Sequence, residues 1–169
     1  GVTDRQKLKY YKQMVVIQNR VVASKDLKYP NEHKSQHLPV CLTFDDSFAN
    51  LLSNVIPTIT NFQIPITIFI PTGSIGRTPS WLQKSGHNDS QETVLSAEQI
   101  VALKGNLLVR FGSHTVDHPH LSMLGEEEVR GQLRTSMEVI NKILDENIME
   151  LALPHGDYNE MVIQVAVEE

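Results

Sequence analysis

Residues 40–70 read VCLTFDDSFANLLSNVIPTITNFQIPITIFI, and the order of apolar segments in this stretch indicates the fold class. Val40–Phe44 is a short apolar run that ends in two carboxylates, Val55–Phe62 has apolar residues at helical spacing, and Ile66–Ile70 is a second apolar run between two prolines. Strands of parallel sheets are covered on both faces and therefore read as continuous apolar runs. The stretch predicts a strand, a helix and a second, parallel strand, which is the repeating unit of an α/β fold.

The same alternation continues toward the C-terminus. We predict a helix from the capping box at Ser96 to Lys104, a third strand at Leu107–Phe111, an amphipathic helix at Glu126–Leu144, a fourth strand at Ile148–Leu153 and a final helix from Glu160. Between the second strand and the first of these helices, Thr72–Thr93 is rich in Gly, Ser, Thr and Pro, which predicts a long loop that carries Trp81 and Leu82.

The segment before Pro39 differs in character from the rest of the chain. Its apolar residues recur at helical spacing through Ser24, which predicts a helix, and a polar loop that contains Pro30 follows. The β-branched runs Val15–Ile17 and Val21–Val22 favour strand, so an extended conformation for part of this segment stays open. We therefore divide the chain into residues 1–38, an N-terminal helical extension and loop, and residues 39–169, a single α/β domain.

Composition places the chain among globular proteins and excludes several classes of function. Its 169 residues are 40% hydrophobic and 21% charged, as expected for one domain with a real core. The 15 basic and 20 acidic residues, with no basic block, argue against a nucleic-acid surface. No apolar run reaches the ~20 residues of a membrane helix. The single cysteine, Cys41, rules out an intrachain disulfide and is predicted to be a small buried apolar residue rather than a nucleophile.

Three predicted strands end in polar clusters that carry the candidate chemistry. Asp45 and Asp46 end the first strand. His114 and His118 follow the third strand, and His155 follows the fourth. Because the carboxyl ends of parallel strands meet at one edge of the sheet, we expect these side chains to lie close together.

This combination of side chains is typical of a metal site. Two imidazoles separated by three residues can bind one ion when the chain turns between them, and a carboxylate from a neighbouring strand completes a set of three protein ligands. Three protein ligands leave a coordination position for water, as in a catalytic zinc-like site, and the second carboxylate can then accept a proton.

Simpler roles for these residues remain open. The aspartate pair can instead cap the helix that follows it. Trp81 either stacks on a sugar ring or anchors its loop to the core. The histidines outside this pattern are predicted to be surface or loop residues: His33, His37, His87 and His120.

Four motifs together resemble one known family. They are Thr43-Phe44-Asp45-Asp46, Ile64–Ile70, Gly112-Ser113-His114-Thr115-Val116-Asp117-His118 with Leu121 after it, and Pro154-His155-Gly156-Asp157-Tyr158-Asn159. Their order and spacing over about Pro39–Ala166 resemble the polysaccharide deacetylase family, also called the NodB-homology domain or carbohydrate esterase family 4.

The resemblance implies a distorted (β/α) barrel with fewer than eight repeats and the removal of acetyl groups from an N-acetylated or O-acetylated polysaccharide. It implies a divalent metal cofactor, zinc, with Asp46, His114 and His118 as ligands. It also implies that Asp45 is the general base and that the backbone N–H of His155 stabilises the oxyanion. Because the substrates of this family usually lie outside the cytoplasm, it implies an extracellular, periplasmic or cell-envelope location.

The sequence departs from the family pattern at several positions. Ser47 replaces a common Gly after the aspartate pair, and His155 replaces the Tyr of a Pro-Tyr-Gly motif but keeps the backbone N–H. Ala152 replaces an Arg that pairs with the base aspartate in many members, and the branch that acts on poly-N-acetylglucosamine also has a small residue there. The chain ends at Glu169 before the Leu-x-His motif that carries the family's acid histidine, so we expect a barrel that is incomplete at its C-terminus.

Two other functions are compatible with the sequence. A non-catalytic module would retain the cleft and bind a glycan or a partner protein, which Ala152 and the missing acid histidine favour. The complete set of Asp45, Asp46, His114 and His118 argues against a pure binder, which has no use for a second carboxylate beside a metal. An amidase that acts on a small cyclic amide is the third possibility, because different loops on the same core would support it.

Overall fold

A computed structural model describes residues 22–23, 39–85 and 91–169. The strands are β1 (Leu42–Phe44), β2 (Ile66–Ile70) and β3 (Val109–Ser113). The helices are α1 (Leu51–Asn54), α2 (Ile56–Phe62), α3 (Ser80–Ser85), α4 (Ala97–Lys104), α5 (Glu126–Leu144) and α6 (Glu160–Glu168). Short 3₁₀ turns lie at Thr72–Ser74, Leu121–Met123 and Pro154–Gly156.

The three strands form a parallel sheet in the order β1-β2-β3, which confirms the predicted α/β class. Leu42 pairs with Ile66 at one end, and Ile70 pairs with Ser113 at the other. Every residue of the central strand β2 is buried, as expected when helices cover both faces of a parallel sheet. This sheet of three strands corresponds to part of a (β/α) barrel.

Local helix signals predict several elements accurately. The capping box of α4 forms in both directions: the Gln99 N–H donates to Ser96 Oγ at 3.3 Å, and the Ser96 N–H donates to Gln99 Oε1 at 2.8 Å. Gly105 is the C-cap residue of α4, and Pro57 lies in the first turn of α2, where its missing N–H has no cost.

The third strand begins two residues later than predicted. Asn106 forms a tight turn, in which its side-chain oxygen accepts from the Leu108 N–H at 3.0 Å and its carbonyl accepts from the Val109 N–H at 2.9 Å. This turn leaves Leu107 98% exposed. The apolar side chain of Leu107 therefore belongs to the turn and not to the sheet.

The predicted fourth strand at Ile148–Leu153 is reduced to one parallel bridge, between Ser113 and Leu151. Its backbone has other partners at both ends. The Ile148 N–H donates to the side chain of Asn141 in α5 at 2.8 Å, and the chain enters the 3₁₀ turn at Pro154. Too few residues remain extended to form a ladder.

The segments around the sheet differ from the prediction in two further places. The predicted loop Thr72–Thr93 contains a 3₁₀ turn and α3. Of the predicted N-terminal helix, only Val22 and Ala23 lie among the described residues. They are not helical, and the Val22 N–H donates to the Val40 carbonyl at 2.9 Å, which agrees at Val22 with the extended alternative. The rest of that helix and its loop lie outside the described residues.

Two apolar clusters form the core. The main cluster lies between the sheet and the helices, and it includes Ile59, Ile68, Ile100 and Ile140. A smaller cluster joins α5, α6 and the turn Leu121–Met123, and it consists of Leu121, Val129, Leu133, Val162 and Val165. Helix α5 contributes to both clusters. No helix in the described part of the chain combines the length and the apolar character needed to cross a bilayer.

Cys41 is half-buried and is not in a disulfide. Burial raises the pKa of its thiol, and the negative charge of Glu150 raises it further. The thiol is therefore protonated at neutral pH, which agrees with the prediction that Cys41 is not a nucleophile.

Candidate metal and catalytic site

The candidate site lies where β1 and β3 end, on turns with unusual backbone angles. Among the described residues, seven non-glycine residues have positive φ, and two of these are helix C-caps. The other five lie on the turns that carry the predicted site residues: Asp46, Ser47, Thr115, His118 and His155. Left-handed backbone costs L-residues about 1–2 kcal/mol each, so the surrounding contacts must hold these turns in place.

Three side chains converge at this edge of the sheet. Asp46 Oδ1 lies 3.4 Å from His118 Nε2 and 3.8 Å from His114 Nε2. One potential ligand atom from each residue lies within 4.8 Å of the other two. The side chains of His114 and His118 are only 2% and 7% exposed, and that of Asp46 is 27% exposed. The structure thus brings together the three residues that the sequence predicted as metal ligands.

A backbone carbonyl orients His114. Its Nδ1 lies 2.9 Å from the carbonyl oxygen of Ala152, so Nδ1 carries the proton and donates it to that bond. Nε2 therefore carries the lone pair of the ring, and it lies 3.8 Å from Asp46 Oδ1. This is the arrangement that metal-binding histidines commonly show, in which the second ring nitrogen is hydrogen-bonded to a backbone or carboxylate oxygen.

Helix α5 and the turn after β2 hold the backbone between the two histidines. Gln132 Oε1 accepts from the N–H groups of Val116 and Asp117, at 3.0 and 2.9 Å. Ser136 Oγ donates to the Thr115 carbonyl at 3.0 Å, and the same carbonyl accepts from the Thr72 N–H at 3.0 Å. The roles of Gln132 and Ser136 do not follow from local sequence patterns, because their partners lie 15 to 21 residues away, although a polar Ser136 among the apolar positions of α5 is a usable signal.

Burial shifts the charge states of two of the three side chains toward neutrality. Burial raises the pKa of Asp46, and the charge of Asp45 adds to this effect, whereas His114 opposes it. Burial lowers the pKa of His118 to about 4, and the neighbouring imidazoles of His114 and His155 lower it as well. The His118 imidazole is therefore neutral at pH 7.

The donor set fits a divalent cation. Within the described part of the chain, Asp46 Oδ1 is a buried acceptor without a hydrogen-bond partner. It faces the Nε2 atoms of two nearly inaccessible histidines, and a bound cation would satisfy all three atoms. Two imidazoles and one carboxylate are one of the protein ligand sets found in catalytic zinc sites.

Asp45 and His155 lie beside this cluster. Asp45 is exposed, and its charge raises the pKa of Asp46, which places the two carboxylates near each other. The His155 ring meets the His118 ring edge-on, with the ring centroids 4.5 Å apart. The turn Pro154–Gly156 that carries the His155 backbone therefore borders the cluster.

Two aromatic side chains have positions that the sequence did not predict. The Trp81 ring stacks on the His118 ring, with centroids 4.4 Å apart and an interplanar angle of 19°. His120 stacks on His155 at 4.0 Å, and its side chain is 60% exposed. His120 is thus exposed as predicted, but it lies at the site. His33, His37 and His87 lie outside the described residues.

The comparisons with known proteins all lead to the same family. The family model described as polysaccharide deacetylase matches residues 33–168. A curated relative, a putative polysaccharide deacetylase named YxkH from Bacillus subtilis (strain 168), is 21% identical over 140 residues. That alignment covers 83% of this chain but 45% of the relative, so the chain spans less than half of that protein.

Solved structures share the fold. The chain superimposes on the deacetylase PplD of Streptococcus pyogenes, solved in complex with acetate, with a TM-score of 0.75, 22% identity and coverage of 96% of this chain and 68% of that one. For IcaB from Ammonifex degensii the TM-score is 0.78 at 18% identity, covering 99% and 76%. For BA3943 from Bacillus anthracis, a pseudoenzyme of carbohydrate esterase family 4, it is 0.57 at 18% identity, covering 76% and 39%. Since the family model matches most of the sequence, this chain belongs to the polysaccharide deacetylase family.

Proposed function

We propose that the protein is a metal-dependent hydrolase that removes acetyl groups from an acetylated polysaccharide, with an N-acetylated sugar as the substrate and zinc as the cofactor. The convergence of Asp46, His114 and His118 at the strand ends carries this proposal, because two separate segments, the turns after β1 and after β3, bring complementary ligand atoms together. Membership of the deacetylase family supports the reaction class.

In this proposal Asp46, His114 and His118 hold the cation. A divalent cation supplies Lewis acidity, which activates water and polarises the acetyl carbonyl. The Ala152 carbonyl keeps the proton of His114 on Nδ1, so that Nε2 stays available as a ligand. The low pKa of His118 likewise keeps its ring available as a ligand, because at neutral pH no proton competes with the cation for the ring nitrogens.

Asp45 would act as the general base. It adjoins the cluster, is exposed to the solvent side and is not needed as a ligand, so its carboxylate is available to accept a proton from the attacking water. The backbone N–H of His155 would donate to the oxygen that becomes negatively charged in the tetrahedral intermediate. The ring of His155 contacts that of His118, so the turn that carries this N–H borders the cluster.

The test combines metal content with product release. We expect the purified chain to bind one zinc ion and to release acetate from an N-acetylglucosamine oligomer. Asp46→Ala should lose both properties. Asp45→Asn, a change at the neighbouring carboxylate, should keep the ion and lose acetate release. Absence of an ion from the wild-type chain after incubation with zinc would refute the ligand assignment.

A non-catalytic glycan-binding module is the second candidate function. Within the described residues, the carboxylate of Asp45 forms no hydrogen bond or ion pair that would hold it in place, and Ala152 offers it no charged partner. Metal binding without acetate release would favour this candidate.

We also propose that the glycan substrate lies outside the cytoplasm, which membership of the polysaccharide deacetylase family supports.

A further inference from the structure

The two candidate histidine ligands are held in different ways. His114 donates its Nδ1 proton to the carbonyl of Ala152 at 2.9 Å. His118 Nδ1 is buried and has no hydrogen-bond partner among the described residues. Metal-binding histidines almost always use the second ring nitrogen for a hydrogen bond that fixes the orientation of the ring. Some other contact must orient His118.

Three rings contact the His118 imidazole, and one of them is that of His114, which meets it edge-on at a centroid distance of 4.8 Å. Trp81, in α3, covers one face of it almost in parallel, at a centroid distance of 4.4 Å and an angle of 19°. The His155 ring approaches edge-on, at 4.5 Å and 71°. Rotation of the imidazole about its bond to the Cβ atom would break the parallel contact with Trp81. It would also move Nε2 away from Asp46 Oδ1, which lies 3.4 Å from it.

Hydrogen bonds hold the backbone at His118 in place, so the orientation of the imidazole depends on the rotation of the side chain. The His118 N–H donates to Thr115 Oγ1 at 3.1 Å, and φ of His118 is 59°. The hydrogen bonds of Gln132 hold the preceding two residues. The backbone contacts therefore place the Cβ atom, and the stacked indole sets the plane of the ring.

We propose that Trp81 is a positioning residue for the metal site: its indole ring orients the His118 imidazole by stacking, in the place of the hydrogen bond that orients His114. This inference rests on the proposed metal site. It links metal affinity to the short helix α3, which contributes none of the three ligands. Stacking also covers a face of the ligand ring and limits the access of water to it.

The test compares two substitutions that differ in one property. Trp81→Phe keeps an aromatic face over His118, whereas Trp81→Leu keeps apolar bulk without that face. Zinc affinity is measured on the full chain by competition with a chelator. Trp81→Phe should stay within about threefold of the wild type, and Trp81→Leu should weaken zinc binding about tenfold, the lower end of the losses seen when outer contacts of a ligand are removed. Equal affinities of the two variants would refute the positioning role.

A second readout does not depend on metal or activity. In the chelator-treated wild-type chain, the indole ring current should shift the carbon-bound imidazole protons of His118 upfield in the NMR spectrum. Trp81→Phe should retain part of this shift and Trp81→Leu should lose it. If Trp81→Leu does not fold, Trp81→Met replaces it, and absence of the shift in the wild type refutes the stack by itself.

The outcomes separate this inference from the proposed function. If the wild type binds zinc and Asp46→Ala does not, but Trp81→Leu binds as tightly as the wild type, the role of Trp81 is wrong and the metal site stands. If the wild type binds no zinc, both are wrong.

Discussion

Asp46 and His118 have pKa values that move in opposite directions from their ordinary values, and burial is the first cause of both shifts. Removal from water disfavours a charged carboxylate and a charged imidazole alike, so the pKa of Asp46 rises and that of His118 falls. Without a cation the site therefore favours neutral groups. A bound divalent cation would instead stabilise the carboxylate and use the imidazole lone pair.

The pKa of His118 predicts how the metal-free protein responds to acid. Between pH 6.5 and about 4 the unfolded chain binds a proton on His118 that the folded chain does not, so the free energy of unfolding falls as the pH is lowered through this range. The full loss is on the order of 3 kcal/mol. The raised pKa of Asp46 has the opposite effect at the acidic end, because the folded chain takes up that proton first.

Urea unfolding at pH 7, 6 and 5 in the presence of a chelator measures this dependence. His118→Gln should flatten the profile over this range. A profile for His118→Gln that matches the wild type would contradict the assignment.

At the scale of single elements, strand β3 packs closely enough to exclude any side chain at Gly112. A Cβ atom there would overlap the Phe69 ring and would lie 2.8 Å from the Glu150 carbonyl oxygen. That carbonyl accepts from the Ser113 N–H, so the chain that follows α5 passes directly over β3 at this point. Close approach of the two backbones therefore requires glycine.

Gly112→Ala should lower the free energy of unfolding by about 1–3 kcal/mol, the usual cost of overpacking in a core. Gly131 provides the matched control, since it lies inside α5 with open space around its Cα atom. Gly131→Ala should raise the free energy of unfolding by up to about 1 kcal/mol, because alanine favours helix. Urea titrations of both variants test the pair, and a Gly112→Ala variant as stable as the wild type would disprove the close packing.

The helices and strands that match the prediction are those whose signals lie in the element itself or in the residues next to it. The amphipathic helix Glu126–Leu144 and the strand Ile66–Ile70 have the predicted bounds. The helix carries its apolar periodicity within its own residues, and the strand has a proline directly on each side of it. The third strand was misplaced because a side-chain hydrogen bond of Asn106 takes Leu107 out of the sheet. The fourth failed because Asn141, seven residues away, binds the backbone of Ile148.

At the scale of the whole molecule, the smaller apolar cluster anchors the segment that carries the histidines. Leu121 is fully buried in it, three residues after His118, and packs with residues of α5 and α6. Asp157 extends this connection, since its carboxylate accepts from the N–H and the hydroxyl of Ser122 at 2.9 and 2.8 Å. The cluster thus links the turn after β3 to the turn that carries His155.

Leu121→Ala should therefore affect both stability and metal binding. We expect a loss of about 2–5 kcal/mol in the free energy of unfolding, together with weaker zinc binding. Ile140→Ala, in the main cluster, should cost a similar amount of stability and leave zinc affinity unchanged in the folded protein. Urea unfolding and chelator competition on both variants provide the measurements, and equal zinc affinities would contradict the anchoring role.

The sequence by itself determined the α/β class, the parallel direction of the strands and the edge of the sheet at which the polar clusters meet. These follow from apolar runs that end in polar residues, because parallel strands bring their carboxyl ends to one edge whatever the details of packing. The resemblance to the deacetylase family then singled out Asp46, His114 and His118 as the candidate ligands. Only the tertiary structure decided how the ligands are held. The carbonyl of Ala152 on His114, the indole of Trp81 on His118 and the contacts of Gln132 join residues far apart in the chain, and no periodicity or spacing encodes such contacts.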